Sequence, residues 1–205
     1  MELVLVRHPE PTDDARGRCY GRLDVELSES GRTQSRQLAA HLCGEPVSAI
    51  VCSPRLRARD TADAIAEPHG LPVIVLDQLS ELDFGELEGR TYEEIAASRP
   101  ELYEQWMTEP TTVRFPGGES YADLHARVAD AVAQLRATYD GRMVVAVTHG
   151  GVVRAVLAEA LGTPHDRIFR LAVDTASITR VSWREGVALV RCVNLSTAAP
   201  SAAGS

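Results

Sequence analysis

The chain opens on the stretch Val4-Leu5-Val6-Arg7-His8, in which a short apolar run ends abruptly at a charged residue. Similar apolar runs, rich in β-branched residues, lie at 49–52, 73–76 and 143–147. Continuous runs of this length, bounded by polar residues, are typical of strands that are buried on both faces of a sheet. We therefore predict four buried strands.

Helical patterns separate these runs. Ser53, followed by a proline, predicts a helix cap, and Thr91 with Glu94 has the spacing of a capping box. Longer apolar stripes at helical spacing occupy residues 124–135 and 152–161. Strands that alternate with helices predict an α/β layered fold.

Three segments depart from this alternation. Residues 88–118 are polar, aromatic and helical in pattern, which predicts a small helical insertion over the sheet and not a second domain. Residues 178–183 and 187–193 predict a β-hairpin. Residues 196–205 contain mainly Ala, Ser, Pro and Gly, and we expect a disordered tail there. A single domain over residues 1–195 is therefore expected.

Composition limits the classes of partner. The 205 residues include 21 Lys and Arg against 29 Asp and Glu, which gives a formal net charge of −8. This balance argues against nucleic acid and against an anionic membrane as partners, although a local cationic pocket remains compatible with it. The sequence is compatible with a homodimer but does not fix the oligomeric state.

Cysteine spacing and the N-terminal residues predict a compartment. The four cysteines have no C-x-x-C spacing, which indicates free thiols in a reducing environment. The sequence shows neither a basic leader nor an apolar stretch of membrane-spanning length. We therefore expect a cytoplasmic protein.

The predicted strand ends gather cationic and imidazole side chains. In an open α/β sheet, ligands bind beyond the carboxyl ends of the strands. The residues that follow the first, second and fourth predicted strands include Arg7, His8, Arg55, Arg57, Arg59, His149, Gly150 and Gly151.

This combination favours phosphate chemistry. Arginine presents a fixed fork of donors that matches phosphate oxygens, and the amides of Gly150 and Gly151 at a helix start add further donors. A histidine among such cations is driven toward its neutral form, in which its lone pair can attack phosphorus.

Four blocks of sequence resemble the histidine phosphatase superfamily, which is also called the phosphoglycerate-mutase-like family. The blocks are Leu5-Val6-Arg7-His8 and the longer stretches at residues 53–62, 79–89 and 147–154. They stand in the family's order and, with their flanking residues, span residues 3–154.

The resemblance implies a role for each matched residue. His8 would be the nucleophile, and Arg7, Arg57 and His149 would hold the phosphoryl group. Glu81 would protonate the leaving alkoxide and later activate water. The implied enzyme is a phosphomonoesterase acting on a small phosphorylated metabolite without a metal or other cofactor. Its fold would have three layers, with helices on both faces of a mostly parallel sheet.

One further block and one departure refine the resemblance. Cys19-Tyr20-Gly21-Arg22-Leu23-Asp24 is similar to a block of the α-ribazole-phosphate phosphatase branch, which acts late in cobalamin assembly. Gly21 and Arg22 are therefore candidate substrate contacts, and Gly150 is a third because its amide lies at a predicted helix start. Pro9 stands where the family usually has Gly, which removes one N–H but keeps the carbonyl as an acceptor for His8.

Two other functions remain open on the same fold. One is a phosphoglycerate-mutase-type isomerase, although those relatives are generally longer than this chain. The other is a catalytically silent binding module, although His8, Arg57, Glu81 and His149 are all present.

Several of these residues also have a purely structural interpretation. Arg55 and Arg59 are expected to face solvent, and Glu81 is the weakest assignment because acidic neighbours surround it. A metal site is not expected, because the other histidines show no ligand spacing. The histidines expected on the surface without partners are His41, His69, His125 and His165; the aromatics expected in the core of the insertion are Tyr103, Trp106 and Phe115.

Overall fold

The computed structural model of the protein describes residues 1–197. Six strands form one sheet: β1 (Glu2–Arg7), β2 (Val47–Cys52), β3 (Val73–Val75), β4 (Met143–Thr148), β5 (Ser177–Arg184) and β6 (Val187–Ser196). Six α-helices accompany them: α1 (Glu29–Leu42), α2 (Leu56–Ala66), α3 (Tyr92–Ser98), α4 (Pro100–Thr108), α5 (Tyr121–Thr138) and α6 (Gly150–Leu161).

The strand order is β3-β2-β4-β1-β5-β6. The first four strands in that order are parallel, whereas β5 runs antiparallel to β1 and β6 antiparallel to β5. Because side chains alternate between the faces of a strand, Leu3 and Leu5 of β1 pack with α5 and α6 on one face. Val4 and Val6 pack with α1 and α2 on the other face. The predicted three-layer α/β fold is therefore confirmed.

The strand β3 differs from its prediction. It was expected to be buried on both faces, but it is an edge strand, and Ile74 and Val75 are exposed. An apolar run cannot distinguish a central strand from an edge strand, because that position depends on the order in which distant segments pair.

The segment between β3 and α5 has a core of its own. Helices α3 and α4 and their flanking loops bury Trp106 and Phe115 in a cluster separate from the two faces of the sheet. The capping box predicted at Thr91 and Glu94 is present and begins α3. The extent of the insertion, 88–118, stays a prediction.

The C-terminal hairpin is confirmed, with β5 and β6 joined at residues 185–186. Strand β6 continues to Ser196, which is the first residue of the expected tail. The rest of that expectation falls mostly on residues 198–205, outside the described residues. In the described part of the chain, no helix has the length and apolar character needed to cross a membrane.

Candidate active site

The register of the three central strands brings their following residues together. Arg7 pairs with Thr148 and Cys52 with Val147, so the residue after each strand lies at one edge of the sheet. Backbone hydrogen bonds continue this pairing, since His8 N donates to Thr148 O and Ser53 N donates to Val147 O. The ring centroids of His8 and His149 are consequently 5.2 Å apart.

His8 is buried, with 2% of its surface exposed. Its Nδ1 lies 2.7 Å from the carbonyl oxygen of Pro9. A carbonyl oxygen only accepts, so Nδ1 carries the proton and, in the neutral ring, Nε2 carries the lone pair. Burial, assisted by the charges of Arg57 and Arg7, holds the pKa of His8 well below its ordinary value. The proline therefore preserves the acceptor that orients this ring.

Arg57, the second residue of α2, is fully buried. Its Nη1 donates to Leu23 O at 2.9 Å, and its Nη2 donates to Tyr20 O and Gly21 O at 2.9 and 3.1 Å. These bonds tie the 20–23 loop to the site. Burial is the main cause that lowers the pKa of Arg57 to about 10, which leaves it a cation at neutral pH.

Several guanidinium donors at the site are unused. The Nε atoms of Arg7, Arg55 and Arg57 are buried and have no hydrogen-bond partner within residues 1–197. Another guanidinium atom of Arg7, Nη1, donates to Val173 O. Buried donors without partners are costly unless a ligand satisfies them. Three such donors, all cationic, therefore favour an anionic ligand.

His149 is fully buried, and both of its ring nitrogens have partners. Arg57 Nη2 lies 3.2 Å from Nδ1, and Ser53 Oγ lies 2.7 Å from Nε2. Burial, followed by the charges of Arg57, His8 and the neighbouring arginines, holds the pKa of His149 well below its ordinary value. Since guanidinium only donates, Nδ1 accepts, and Nε2–H of the neutral ring donates to Ser53.

Glu81 lies beside the start of α6. Its Oε2 accepts from Gly151 N at 3.1 Å, and its Oε1 accepts from Leu82 N at 2.9 Å. A Cβ at position 151 would stand 2.2 Å from Oε1, so this approach requires glycine. Arg127 holds the loop from behind, donating to the carbonyls of Gln78, Ser80 and Glu81.

This contact corrects the expectation for Gly151. Its amide was expected to be a phosphate donor, but it binds the Glu81 carboxylate instead. Gly150 packs closely against Arg7, since a Cβ there would lie 3.5 Å from the Arg7 Cζ. Arg154 Nη1 would lie 3.1 Å from the same Cβ, so a second guanidinium borders Arg7.

A cavity of about 140 Å³ opens onto these groups. Its outer wall consists of Arg18, Tyr20, Phe84 and Tyr92. We use the name inner wall for His8 and Arg57, which line the cavity, together with Ser53 and His149, which are buried behind them and hydrogen-bonded to each other, with His149 also bonded to Arg57. Glu81, which also lines the cavity, comes from a different loop from either histidine. A larger cavity of about 460 Å³ between α5, α6 and the β5–β6 hairpin contains no residue of either wall.

The remaining predicted contacts have mixed positions. The backbone of Gly21 packs against the loop that carries Glu81, since a Cβ at position 21 would lie 1.8 Å from Leu82 O. The Gly21 carbonyl oxygen accepts a hydrogen bond from Arg57. The Arg22 guanidinium is exposed and pairs with Asp83 at 3.0 Å. Gly21 and Arg22 therefore belong to the loop that frames the cavity, and neither is among the residues that line it.

Some residues that were expected to lie on the surface without a role in the fold are partly buried and have partners. Arg55 is half-buried and donates to Arg22 O at 2.6 Å, whereas Arg59 is exposed as expected. His125 is half-buried and has partners, since its ring centroid lies 4.5 Å from that of His165. His69 is also half-buried.

Trp106 and Phe115 lie in the core of the insertion, as expected, and Tyr103 packs against that core. Within residues 1–197, no group of three His, Cys, Asp or Glu side chains is arranged to hold a metal ion.

Sequence reasoning missed Ser53 and most of the outer wall. Ser53 was interpreted as a helix cap, but α2 begins at Leu56 with Arg55 as its N-cap, and the Ser53 hydroxyl binds His149. Its position directly after a central strand was the available signal. Nothing comparable marked Phe84 or Tyr92, because loops bring them to the cavity.

The chain is similar to known proteins over most of its length. The family model described as the histidine phosphatase superfamily, branch 1, matches residues 3–196. Phosphoserine phosphatase 1 of Hydrogenobacter thermophilus is 36% identical over 185 residues, which cover 90% of this chain and 88% of that protein.

Two solved structures are similar over nearly their whole length. A mycobacterial glucosyl-3-phosphoglycerate phosphatase is 34% identical with a TM-score of 0.86, covering 95% of this chain and 99% of that one. A putative alpha-ribazole-5'-P phosphatase from Escherichia coli is 26% identical with a TM-score of 0.88, covering 95% and 96%.

Proposed function

The chain belongs to the histidine phosphatase superfamily, branch 1, and is a phosphoric monoester hydrolase; we propose that it works without a metal ion, through a covalent phosphohistidine on His8. The observation that carries the proposal is the Pro9 carbonyl on His8 Nδ1, which leaves the Nε2 lone pair of a neutral ring beside unpaired cationic donors. Such a nitrogen can attack phosphorus and form a P–N bond as the ester P–O bond breaks.

Charge neutralisation in this proposal falls to the protein itself. Arg7 and Arg57 supply buried Nε–H donors. The ring centroid of His149 lies 5.2 Å from that of His8. Preorganised cations and donors in a site shielded from water stabilise developing charge without reorganisation. The donors of Arg7 and Arg57, with His149, would hold the phosphoryl oxygens while the group moves to His8.

Glu81 is proposed as the proton donor to the leaving oxygen and, after its departure, as the base that activates water. Its support is its place in the cavity lining and its anchoring by Gly151 N and Leu82 N. Water then attacks phosphorus, the P–N bond breaks, and inorganic phosphate leaves.

Trapping the phosphoenzyme tests the proposal. A rapid quench with ³²P-labelled substrate should give an alkali-stable, acid-labile protein phosphate, and His8→Ala should give none and lose turnover. The control is circular dichroism of His8→Ala, which should match the unaltered chain. Label that persists in His8→Ala would place the nucleophile elsewhere.

Metal independence has its own test. Activity should be unchanged in EDTA and inhibited by vanadate, which can adopt the five-coordinate geometry of the phosphoryl group in the transition state. Activity that is lost in EDTA and restored by magnesium or zinc would contradict this part of the proposal.

For the substrate, we propose a small phosphorylated metabolite, with α-ribazole 5'-phosphate as the specific candidate from the 19–24 block. The similarity to the E. coli structure supports it. Phosphoserine is a second candidate, favoured by the name of the 36% identical relative and by the cavity of only about 140 Å³. Values of kcat/KM for the two esters, measured side by side, decide between them.

The mutase alternative predicts interconversion of 3- and 2-phosphoglycerate in excess of phosphate release. The silent module is set aside, because the chain is a hydrolase.

Cytoplasmic location, independence from nucleic acid and membrane, and the compatible homodimer stay predictions. Fractionation of cells and light scattering of the purified chain would test them.

A further inference from the structure

Ser53 has a hydroxyl whose hydrogen bonds are unbalanced. Its Oγ accepts from His149 Nε2–H at 2.7 Å and lies 3.3 Å from Arg55 N, which also donates. Neither partner can accept, and Ser53 Oγ has no other partner within the described residues. The hydroxyl proton of a completely buried serine is therefore left without an acceptor.

On the other side of the ring, the contact between His149 Nδ1 and Arg57 Nη2 is the longest of the three that Nη2 makes. Arg57 Nη2 has two N–H bonds but three acceptors, at 2.9 Å to Tyr20 O, 3.1 Å to Gly21 O and 3.2 Å to His149 Nδ1. The longest of the three can be surrendered while both N–H bonds stay satisfied. His149 Nδ1 faces the cationic side of the site, whereas Nε2 faces Ser53.

A phosphoryl group bound beside Arg57 would change what Nδ1 needs. Phosphoryl oxygens are acceptors, so an Nδ1 lone pair would repel them, and only an Nδ1–H could bind them. Without a phosphoryl group, burial and the surrounding arginines hold the pKa of His149 low, and an exchange of tautomers meets the new need without adding a proton to this buried ring. A neutral ring satisfies the phosphoryl group only with its proton on Nδ1.

We propose that Ser53 is a positioning residue that allows His149 to exchange tautomers when the phosphoryl group binds. The contacts of the structure fit one tautomer, in which Nε2–H donates to Ser53 and Nδ1 accepts from Arg57. In the occupied site, Nδ1–H donates to a phosphoryl oxygen and Nε2 accepts the Ser53 O–H.

The exchange leaves the charge of the ring unchanged. One proton leaves Nε2 and one is taken up on Nδ1, both through solvent water, and Ser53 keeps its own. The hydroxyl reverses from acceptor to donor and thereby gains the acceptor that it lacks among the described residues. This inference rests on the proposed function, since it assumes phosphate binding beside Arg57.

Nitrogen NMR of the full chain labelled with ¹⁵N-histidine tests it, because protonated and unprotonated ring nitrogens resonate in separate ranges. Comparison with His149→Asn assigns the signals. Without ligand, we expect the proton on Nε2; with saturating inorganic phosphate, we expect it on Nδ1. An unchanged proton position, or protonation of both nitrogens, would overturn the inference.

Ser53→Ala adds a second arm. It should weaken inhibition by inorganic phosphate about tenfold, because the hydrogen bond that the Ser53 hydroxyl gains on phosphate binding would be lost. The exchange should therefore need about tenfold more phosphate than in the unaltered chain. An exchange at the same phosphate concentrations as in the unaltered chain would show that Ser53 does not act on this ring.

The matched control is Ser35→Ala, which removes a buried hydroxyl that bonds Gly31 O and Thr61, away from the cavity. Its phosphate inhibition should be unchanged. The arms also separate this inference from the proposed function. If the phosphohistidine forms on His8 but the His149 proton stays on Nε2, only the role of Ser53 fails. If no phosphoenzyme forms, the function fails first.

Discussion

The inner and outer walls of the cavity are made in different ways. Inner-wall residues follow the central strands β1, β2 and β4 directly or begin α2, and their side chains are 2% exposed or less. Outer-wall residues come from loops and the start of α3, and Arg18 and Tyr92 are exposed. The comparison separates two tasks: the rigid wall suits the phosphoryl group common to all substrates, and the exposed wall suits the group that differs between them.

Glu81 lies between the two walls and gives the largest expected effect that depends on the substrate. Glu81→Gln removes the acid but keeps the size. General acid catalysis is worth roughly a hundred- to ten-thousand-fold when the leaving group needs a proton. The burst rate of phosphoenzyme formation should fall by that factor for an alkyl phosphate and only mildly for p-nitrophenyl phosphate, whose leaving anion is stable.

Gly151→Ala is the companion variant, since its Cβ would stand 2.2 Å from Glu81 Oε1 and displace the carboxylate. It should reproduce the same substrate dependence. Equal losses for both esters in Glu81→Gln would instead make Asp83 or Glu86 the next candidate for the proton donor.

Arg57→Lys tests the inner wall. Lysine keeps the charge but loses the fork that holds Tyr20 O, Gly21 O and Leu23 O, together with the free Nε. Removing a preorganised donor costs roughly a hundred- to thousand-fold. We expect a fall in kcat/KM of about that size for every phosphate ester.

Arg59→Lys is the control for that experiment, because Arg59 lies on the same helix and is exposed. It should retain full activity. A loss in Arg57→Lys that varied strongly between esters would mean that Arg57 contacts the leaving group and that the two walls do not divide the tasks.

Tyr92→Leu tests the outer wall. The Tyr92 ring lies 5.4 Å from that of Trp106, and its exposed part borders the cavity. Loss of an aromatic contact is worth about 0.5–1.5 kcal/mol, or roughly two- to tenfold. The values of kcat/KM for α-ribazole 5'-phosphate and phosphoserine should change by different factors within that range, while phosphate inhibition stays constant. Equal changes for both esters would contradict the division.

The smallest expected effect concerns stability. The pKa values of His8 and His149 are lowered in the folded chain, mainly by burial, so below their ordinary value of 6.5 the unfolded chain binds more protons. The free energy of unfolding should therefore fall as the pH decreases below 6.5, toward the lowered folded values.

Urea unfolding at pH 7 and pH 5.5 measures this dependence. The decrease should be smaller in His8→Asn, which lacks one of the two buried rings, and unaltered in His41→Gln, which changes an exposed histidine. A decrease of the same size in all three chains would assign it to other groups.

Local patterns in the amino-acid sequence were enough to predict the α/β fold and most of the inner wall. Apolar runs that end before Arg7, Ser53 and Thr148 identify strands, and in a parallel sheet the residues that follow the strands must meet at one edge. His8, Arg57 and His149 were predicted together for that reason, because a local pattern and a rule of topology were sufficient.

The hydrogen-bond partners of these residues could not be predicted in the same way, because they depend on how distant segments fold together. The edge position of β3, the Glu81–Gly151 contact, the Ser53–His149 bond and the outer wall of Phe84 and Tyr92 all join segments that are distant in sequence. Such contacts depend on packing, loop paths and strand order, which no local periodicity encodes. A strand pattern predicts the position of a residue in the sheet. Its hydrogen-bond partner is instead the group that the tertiary fold brings within about 3 Å of the side chain.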